Sequence, residues 1–255
     1  MTATIILTTT PDQHTAYIRG FSVSMALGCL LLGSWLCPIT RVWWDTVDQA
    51  VFFALNGSVA APSAWSQLWA LMNVRIMDLV PLLFLLPFML IPDLIINRHQ
   101  RMQAGMQLLM ILIVMLVVRT VLDQVTEILA WRGKSPSLTL QPAYLLSSMY
   151  PGLPLKDSSS HSFPGDHSGV LMIVASFLLL KSCNRWSVLA ACVSSLFIAP
   201  RLIAGAHWLS DILVGGVFIA SVSMAFGFYM PWPRQWADGL AKRILQHPLT
   251  NGWMR

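Results

Sequence analysis

Long apolar stretches, separated by short segments that carry most of the charge, restrict what this sequence can fold into. A helix that crosses a bilayer takes about 20 residues, and six stretches approach or reach that length: residues 21–37, 76–96, 105–122, 168–181, 186–200 and 209–230. Hydrophobic residues make up 56% of the 255 residues and charged residues 11%, against about 25% charged residues in soluble domains. The sequence therefore predicts an all-α, polytopic membrane protein with six transmembrane helices in a single domain, residues 1–255.

One segment between the first two predicted spans is too polar to cross a membrane. Residues 41–72 combine acidic and aromatic side chains: Asp45, Asp48, Trp43, Trp44, Trp65 and Trp69. Tryptophan is enriched where a membrane meets water. We therefore expect an interfacial helical segment on the outer face, with a role in gating a ligand as the alternative.

Basic residues set the predicted orientation, because cytoplasmic connections carry an excess of Lys and Arg. They follow the second and fourth predicted spans and occupy the C-terminal tail: Arg98, Arg101, Lys181, Arg185, Arg234, Lys242, Arg243 and Arg255. Both termini are therefore expected in the cytoplasm, with residues 1–20 as a short tail. The net charge of +5 is scattered between apolar runs, which argues against a nucleic-acid partner and for membrane lipids as the surroundings.

The predicted outer connections hold cations that this orientation does not explain, at Arg132, Lys134, Lys156 and Arg201. Binding of an anion would explain them, and a solvated loop charge is the alternative. For Lys156 the two explanations are about equal. Arg201 fits anion binding best, because it lies between a predicted span and a histidine.

Two histidines near the ends of predicted spans are the candidates for chemistry. His167 follows Phe-Pro-Gly-Asp and precedes an apolar span, so it is expected at a helix N-terminus, where backbone N–H groups favour an anion. If a helix runs through His207 and Asp211, they share a face, and the carboxylate can fix the imidazole tautomer. A nucleophilic His207, its partner Asp211, His167 as acid and Arg201 for phosphate make a phosphoryl-transfer set that needs no metal or other cofactor.

A charged stripe is predicted on the third span. Arg119, Asp123 and Glu127 follow one another at four-residue steps, so their side chains can neutralise one another along one helix face. We expect a structural role for this stripe. A proton or substrate relay is the alternative, because ionisable groups at membrane depth often have a function.

These strings resemble the signatures of the type-2 phosphatidate phosphatase superfamily. Arg201, His207 and Asp211 match its third signature, and Pro164–His167 takes the place of its second signature. The resemblance implies that His207 is the nucleophile, that Asp211 orients it, that His167 is the general acid and that Arg201 binds phosphate.

The first signature of that superfamily is altered in this sequence. The family has a Lys followed, after six residues, by Arg-Pro, whereas Ile128 and Ser135-Pro136 occupy those places here. Arg132 and Lys134 are therefore the candidates to replace the missing phosphate-binding cations.

The second signature is altered as well, because Gly165 and Asp166 replace its Ser and Gly. The change removes a hydroxyl donor and puts a carboxylate beside the presumed acid. We expect both residues, with Lys156, in the phosphate cradle. Asp166 is expected to tune His167 or to orient a basic partner, although it can also repel phosphate.

The altered strings are similar to those of one branch of the superfamily, found in the bacterial inner membrane. The resemblance implies transfer of phosphate from undecaprenyl diphosphate to lipid A 1-phosphate at the periplasmic face. A lipid phosphate phosphatase, with water as the acceptor, is the first alternative. A non-catalytic transporter or binding protein for an anionic lipid is the second.

Overall fold

The computed structural model of the chain describes residues 11–131 and 133–246, and the regular elements within those ranges are all helices. This confirms the all-α prediction. The α-helices are α1 (Pro11–Leu36), α2 (Pro38–Gly57), α3 (Ala64–Met72), α4 (Val80–Leu90), α5 (Arg101–Ile128), α6 (Pro136–Thr139), α7 (Leu146–Met149), α8 (Asp166–Lys181), α9 (Arg185–Ile203), α10 (Val217–Met224) and α11 (Pro231–Gln246). Two π-helical turns, Asp211–Gly216 and Ala225–Tyr229, extend α10 at both ends into one continuous helical segment.

Within residues 11–131 and 133–246, four helices are long and apolar enough to cross a membrane: Asp12–Leu36, Arg98–Ile128, Arg185–Ile203 and Asp211–Tyr229. They correspond to the first, third, fifth and sixth predicted spans. The first begins earlier than expected, since residues 11–20 are helical rather than part of a tail. Pro11 and Asp12 favour a helix start there, because proline suits the first helical position and an acidic side chain complements the positive end of the helix dipole.

The other two predicted spans form shorter helices. Residues 76–96 give a 3₁₀ turn, Arg75–Asp78, followed by α4, which has 11 residues. Pro81 lies in the first turn of α4, where proline is tolerated. Pro87 lies inside the helix, where it removes one backbone hydrogen bond and weakens the helix. Residues 168–181 belong to α8, which has 16 residues.

Contacts between helix termini divide the bundle into two ends. At one end the Lys181 ammonium, at the end of α8, donates to Gln107 Oε1 near the start of α5 at 2.6 Å. At the other end Arg119, near the end of α5, lies 2.8 Å from the carboxylate of Asp166, the first residue of α8. We name these the Lys181 end and the Asp166 end.

The α4 segment also runs between these two ends. Arg201, near the end of α9, pairs with Asp78 just before α4 at 2.6 Å. The Asn184 amide, just before α9, donates to the Leu94 carbonyl after α4 at 2.8 Å. Because α4 and α8 both connect the two ends, six crossings remain the prediction for this chain.

The core lies where α5, α8, α9 and α10 meet. Ile111, Phe177, Ala190 and Ile219 are fully buried there. Large apolar side chains on α1, α4 and the outer face of α5 are exposed instead, including Leu30, Leu83 and Val117. An apolar exterior of this kind suits a bundle surrounded by lipid.

The tryptophan-rich segment forms α2 and α3, and α2 sends polar side chains inward. Asp48, Phe52 and Asn56 lie at four-residue steps and are buried. The Asn56 amide donates to the carbonyls of Tyr144 and Ile203, each at 3.0 Å. The polarity of this segment therefore has a structural reason, and its place at the membrane interface remains a prediction.

The two ends of the bundle are expected on opposite sides of the membrane. Reporter fusions after Arg98 and after Lys181 should lie in the cytoplasm, because Lys and Arg are concentrated in the connections at that end. A fusion after Ser148, in α7 between α5 and α8, should lie in the periplasm. A cytoplasmic reporter signal at Ser148 would contradict this orientation.

Candidate active site

His207 and Asp211 form a buried pair at the start of the last membrane helix. His207 Nδ1 lies 3.3 Å from Asp211 Oδ2, and both side chains are buried. The helix does not run through both residues, which corrects the sequence expectation: α9 ends at Ile203, and the next helix begins after Trp208. Asp211 is three residues into that helix and its Oδ2 also accepts the Trp208 backbone N–H at 2.9 Å, as in a capping box.

The turn that presents His207 depends on a glycine. Gly205 has φ +76°, in the left-handed region that favours glycine, and a Cβ there would lie 2.8 Å from the Phe52 ring. The Arg201 carbonyl accepts the backbone N–H groups of Ala206 and His207, at 3.0 and 3.3 Å. The chain thus reverses tightly after α9 and points the imidazole back towards Arg201.

Gly165 brings the second histidine to the same place. Its backbone N–H donates to the Asp211 carbonyl at 3.0 Å, and a Cβ at this position would lie 2.8 Å from that oxygen. A serine, which the family pattern has here, would clash in this backbone. The close approach positions His167, in the first turn of α8, beside the turn that carries His207.

His167, Arg201 and His207 meet in one small cleft. The remaining lining residues are Gly165, Ser168, Ile198 and Ile212. The three functional side chains come from α8, α9 and the turn after α9. The structure therefore brings together the predicted nucleophile, the predicted acid and the predicted phosphate ligand, with Asp211 behind His207.

Arg201 is buried and its guanidinium is held from several sides. Nη1 donates to Asn73 Oδ1 at 2.7 Å and to the Lys156 carbonyl at 3.3 Å, while Nη2 donates to Asp78 at 2.6 Å. Asp78 also lies 3.9 Å from His167 Nδ1. A buried guanidinium needs such partners, and a phosphate that binds Arg201 must share it with Asp78.

The two predicted lysine ligands, Lys134 and Lys156, do not line this cleft. Lys156 reaches Arg201 through its backbone carbonyl, and its side chain does not line the cleft. Lys134 is exposed, and its carbonyl accepts the Trp208 indole N–H at 2.9 Å. Arg132 lies outside the described residues.

Asp166 faces a cation rather than the cleft. Its Oδ2 lies 2.8 Å from Arg119 Nη2, and its Oδ1 accepts the backbone N–H of His167 at 2.8 Å. Arg119 also lies 3.7 Å from Asp123, as the four-residue spacing predicts. A basic partner for Asp166 was one of the sequence expectations, and Arg119 fills that place.

Asp48 of α2 was not singled out from the sequence, yet it supports the His207–Asp211 pair. Its carboxylate accepts the backbone N–H and the hydroxyl of Ser210, at 2.8 and 2.5 Å. Burial raises the pKa of Asp48 to about 6, although the Ser210 hydrogen bonds oppose the rise. The only sign of this role in the sequence is its four-residue spacing from Phe52 and Asn56, which puts the three side chains on one face of α2.

The Arg119–Asp166 contact predicts that exchanging the two charges is tolerated better than reversing one of them. Arg119→Asp and Asp166→Arg alone should each slow a reaction catalysed at His167 and His207 about tenfold, since each leaves a like-charge contact beside His167. The double variant should recover part of the rate. A double variant no better than the worse single one would indicate that Asp166 acts on the substrate directly.

The raised pKa of Asp48 predicts a pH-dependent stability. A group whose folded pKa is raised stabilises the fold below its ordinary value, here 3.8, and loses that contribution as the pH rises through about 6. Thermal unfolding in detergent should show wild type losing stability relative to Asp48→Asn across that interval. A stability difference that is constant with pH would contradict the assignment.

Comparison with known proteins shows the family of the chain. Residues 106–236 match the sequence model of the PAP2 superfamily. The chain is 30% identical over 206 residues to lipid A 1-diphosphate synthase of Escherichia coli (strain K12), which covers 80% of this chain and 85% of that protein.

A crystal structure is also similar, that of the transmembrane PAP2-type phosphatidylglycerolphosphate phosphatase from Bacillus subtilis. It covers 92% of this chain and 98% of its own, with 18% sequence identity and a TM-score of 0.40, a likeness too weak to carry an argument. The family match, in contrast, extends over half of the chain and includes His167, Arg201, His207 and Asp211. The chain therefore belongs to the PAP2 superfamily, whose members are lipid phosphatases and phosphotransferases.

Proposed function

We propose that this protein transfers the terminal phosphate of undecaprenyl diphosphate to lipid A 1-phosphate at the periplasmic face of the bacterial inner membrane. The products are lipid A 1-diphosphate and undecaprenyl phosphate. The observation that carries phosphoryl transfer is the buried His207–Asp211 pair, 3.3 Å apart, beside a cleft that also holds His167 and Arg201. The acceptor rests on the similarity to lipid A 1-diphosphate synthase.

The first step forms a phosphohistidine. His207 Nδ1–H donates to Asp211, which leaves Nε2 with its lone pair to attack the terminal phosphorus of the donor. The bond from phosphorus to the bridging oxygen breaks, and His167 gives its proton to the departing undecaprenyl phosphate. Asp211 stabilises the positive charge that develops on the imidazole.

The second step returns the phosphoryl group to a lipid. An oxygen of the acceptor phosphate attacks the phosphorus on His207, and the bond from phosphorus to Nε2 breaks. His167, deprotonated in the first step, accepts the proton of the incoming acceptor. The new P–O–P bond completes the product and both histidines regain their starting state.

Fixed positive groups offset the charge on the transferring phosphoryl oxygens. Arg201 is buried and oriented by Asn73 and Asp78, so it needs little reorganisation during the reaction. The N-terminus of α8, where His167 lies, adds the positive end of a helix dipole. Both features favour an anion in the cleft.

A phosphatase is the nearest alternative, because water can attack the same phosphohistidine. It shares the first step with the proposed transferase and differs only in the acceptor of the second step. A non-catalytic lipid transporter is the alternative of another class. It would not require a buried His207–Asp211 pair, and it predicts lipid binding without release of phosphate.

Substitution of His207 tests the first step. With undecaprenyl diphosphate labelled in its terminal phosphate, wild type should form an acid-labile phosphoprotein when no acceptor is present. His207→Ala should form none, and Asp211→Asn should form it about a hundredfold more slowly, as for loss of an orienting carboxylate. His161→Ala is the matched control, because His161 is exposed and outside the cleft. Labelling of His207→Ala at the wild-type rate would reassign the nucleophile.

The fate of the label tests the second step. Purified protein is incubated with the same donor, with and without lipid A 1-phosphate, and the products are separated. Label in lipid A supports the transferase, whereas label in free phosphate at an equal rate under both conditions supports the phosphatase.

A further inference from the structure

A second cavity, of about 290 Å³, is lined in part by Ser210 and Asp211, which are neighbours in the chain of residues that line the cleft. The two cavities share no lining residue, but they border neighbouring residues of the same two segments. Phe163 and Trp208 line the second cavity, whereas Gly165 and His207 line the cleft. The second cavity is therefore next to the proposed reaction site at the Asp166 end.

The walls of this cavity combine indole rings with hydrogen-bonding groups. Trp131 and Trp208 supply aromatic surface, and Gln49, Thr139 and Ser162 supply amide and hydroxyl groups that both donate and accept. Aromatic rings cover the apolar C–H face of a sugar, while amides, hydroxyls and carboxylates pair with its hydroxyl groups. This combination suits a carbohydrate better than an acyl chain.

The charges of the cavity disfavour a phosphate inside it. Among the described residues, Asp45, Asp48 and Asp211 line it, together with the cations Arg41 and Lys134. Arg41 Nε already donates to Asp45 at 2.8 Å, so it is partly neutralised. A neutral ligand group rich in hydroxyls fits these walls, whereas the diphosphate of the donor does not.

Part of the wall is held rigid before any ligand binds. The Trp208 indole N–H donates to the Lys134 carbonyl at 2.9 Å, which fixes that ring. Trp35 is stacked on Phe163 at 4.5 Å and covered on its ring by Arg41 at 4.1 Å. The buried indole N–H of Trp35 has no hydrogen-bond partner among the described residues. It is an unsatisfied donor in the wall of this cavity.

We propose that this cavity binds the sugar ring that carries the accepting phosphate of a glycolipid. The proposal rests on the proposed phosphotransfer function and assigns the acceptor subsite of the same reaction. A cavity of about 290 Å³ is at the lower limit of ligand pockets, about 300 Å³, which gives room for one ring and not for a whole lipid. The phosphate on that ring lies towards His207, which lines the cleft and not this cavity.

Such a subsite selects a phosphorylated glycolipid over water and over phosphorylated lipids without a sugar. Two acceptors measure the selection: lipid A 1-phosphate, which has the sugar, and phosphatidate, which lacks it. Transfer of label from undecaprenyl diphosphate gives kcat/KM for each. Phosphoprotein formation with donor alone reports separately that each variant is folded and that the first step works.

Gln49→Ala and Trp131→Ala are the test variants, and Trp43→Ala is the control. Gln49 is exposed on α2, so its loss should not disturb folding, and Trp43 is an exposed tryptophan of the same helix outside the cavity. Each test variant should lower the preference of kcat/KM for lipid A 1-phosphate over phosphatidate about tenfold, the size expected for loss of a specific contact. Trp43→Ala should keep the wild-type preference.

The outcomes separate this proposal from the function on which it rests. Wild type that transfers label to both acceptors equally, or test variants that keep the wild-type preference, would overturn the sugar subsite alone. Equal losses with both acceptors would also overturn it, since a merely structural role predicts that result. Wild type that forms the phosphoprotein but releases only free phosphate would refute the transferase itself.

Discussion

The buried contact between His207 and Asp211 is the interaction on which the rest of the site depends. A carboxylate in this position is tolerated because it accepts the Trp208 N–H as well as facing the imidazole. Residues from other parts of the chain fix the position of the helix start that contains Ser210 and Asp211. Asp48 of α2 accepts two hydrogen bonds from Ser210, and the loop before α8 packs its backbone against the Asp211 carbonyl.

Charge compensation organises the same end of the bundle. Arg201 is buried against Asn73 and Asp78, and Arg119 pairs with Asp166 beside the second histidine. Each cation has a fixed anionic or carbonyl partner, so little charge is left uncompensated where the helices end. The cost of ionisable groups near a membrane makes such pairing necessary, and it keeps one guanidinium oriented towards the cleft.

Local patterns were sufficient to predict the apolar helices and the approach of His207 to Asp211, because both depend on spacing within a short segment. The last span was predicted to begin at residue 209, as observed, but the turn that holds His207 in front of it was not predicted, because the four-residue spacing to Asp211 is the same in a continuous helix. Contacts such as Asp48 with Ser210 join segments far apart in the chain, and no local pattern reports them. The lysine ligands were inferred from their charge and their position in the sequence, and neither tells where a long side chain points.

The stereochemical course at phosphorus tests the central claim, a phosphoryl group carried on His207, most directly. Undecaprenyl diphosphate whose terminal phosphorus is made chiral with oxygen isotopes and sulfur is supplied together with the acceptor, and the configuration of the product is determined. Two successive in-line displacements, first by the His207 nitrogen and then by the acceptor, predict net retention. Net inversion would indicate a single direct displacement and would contradict the account.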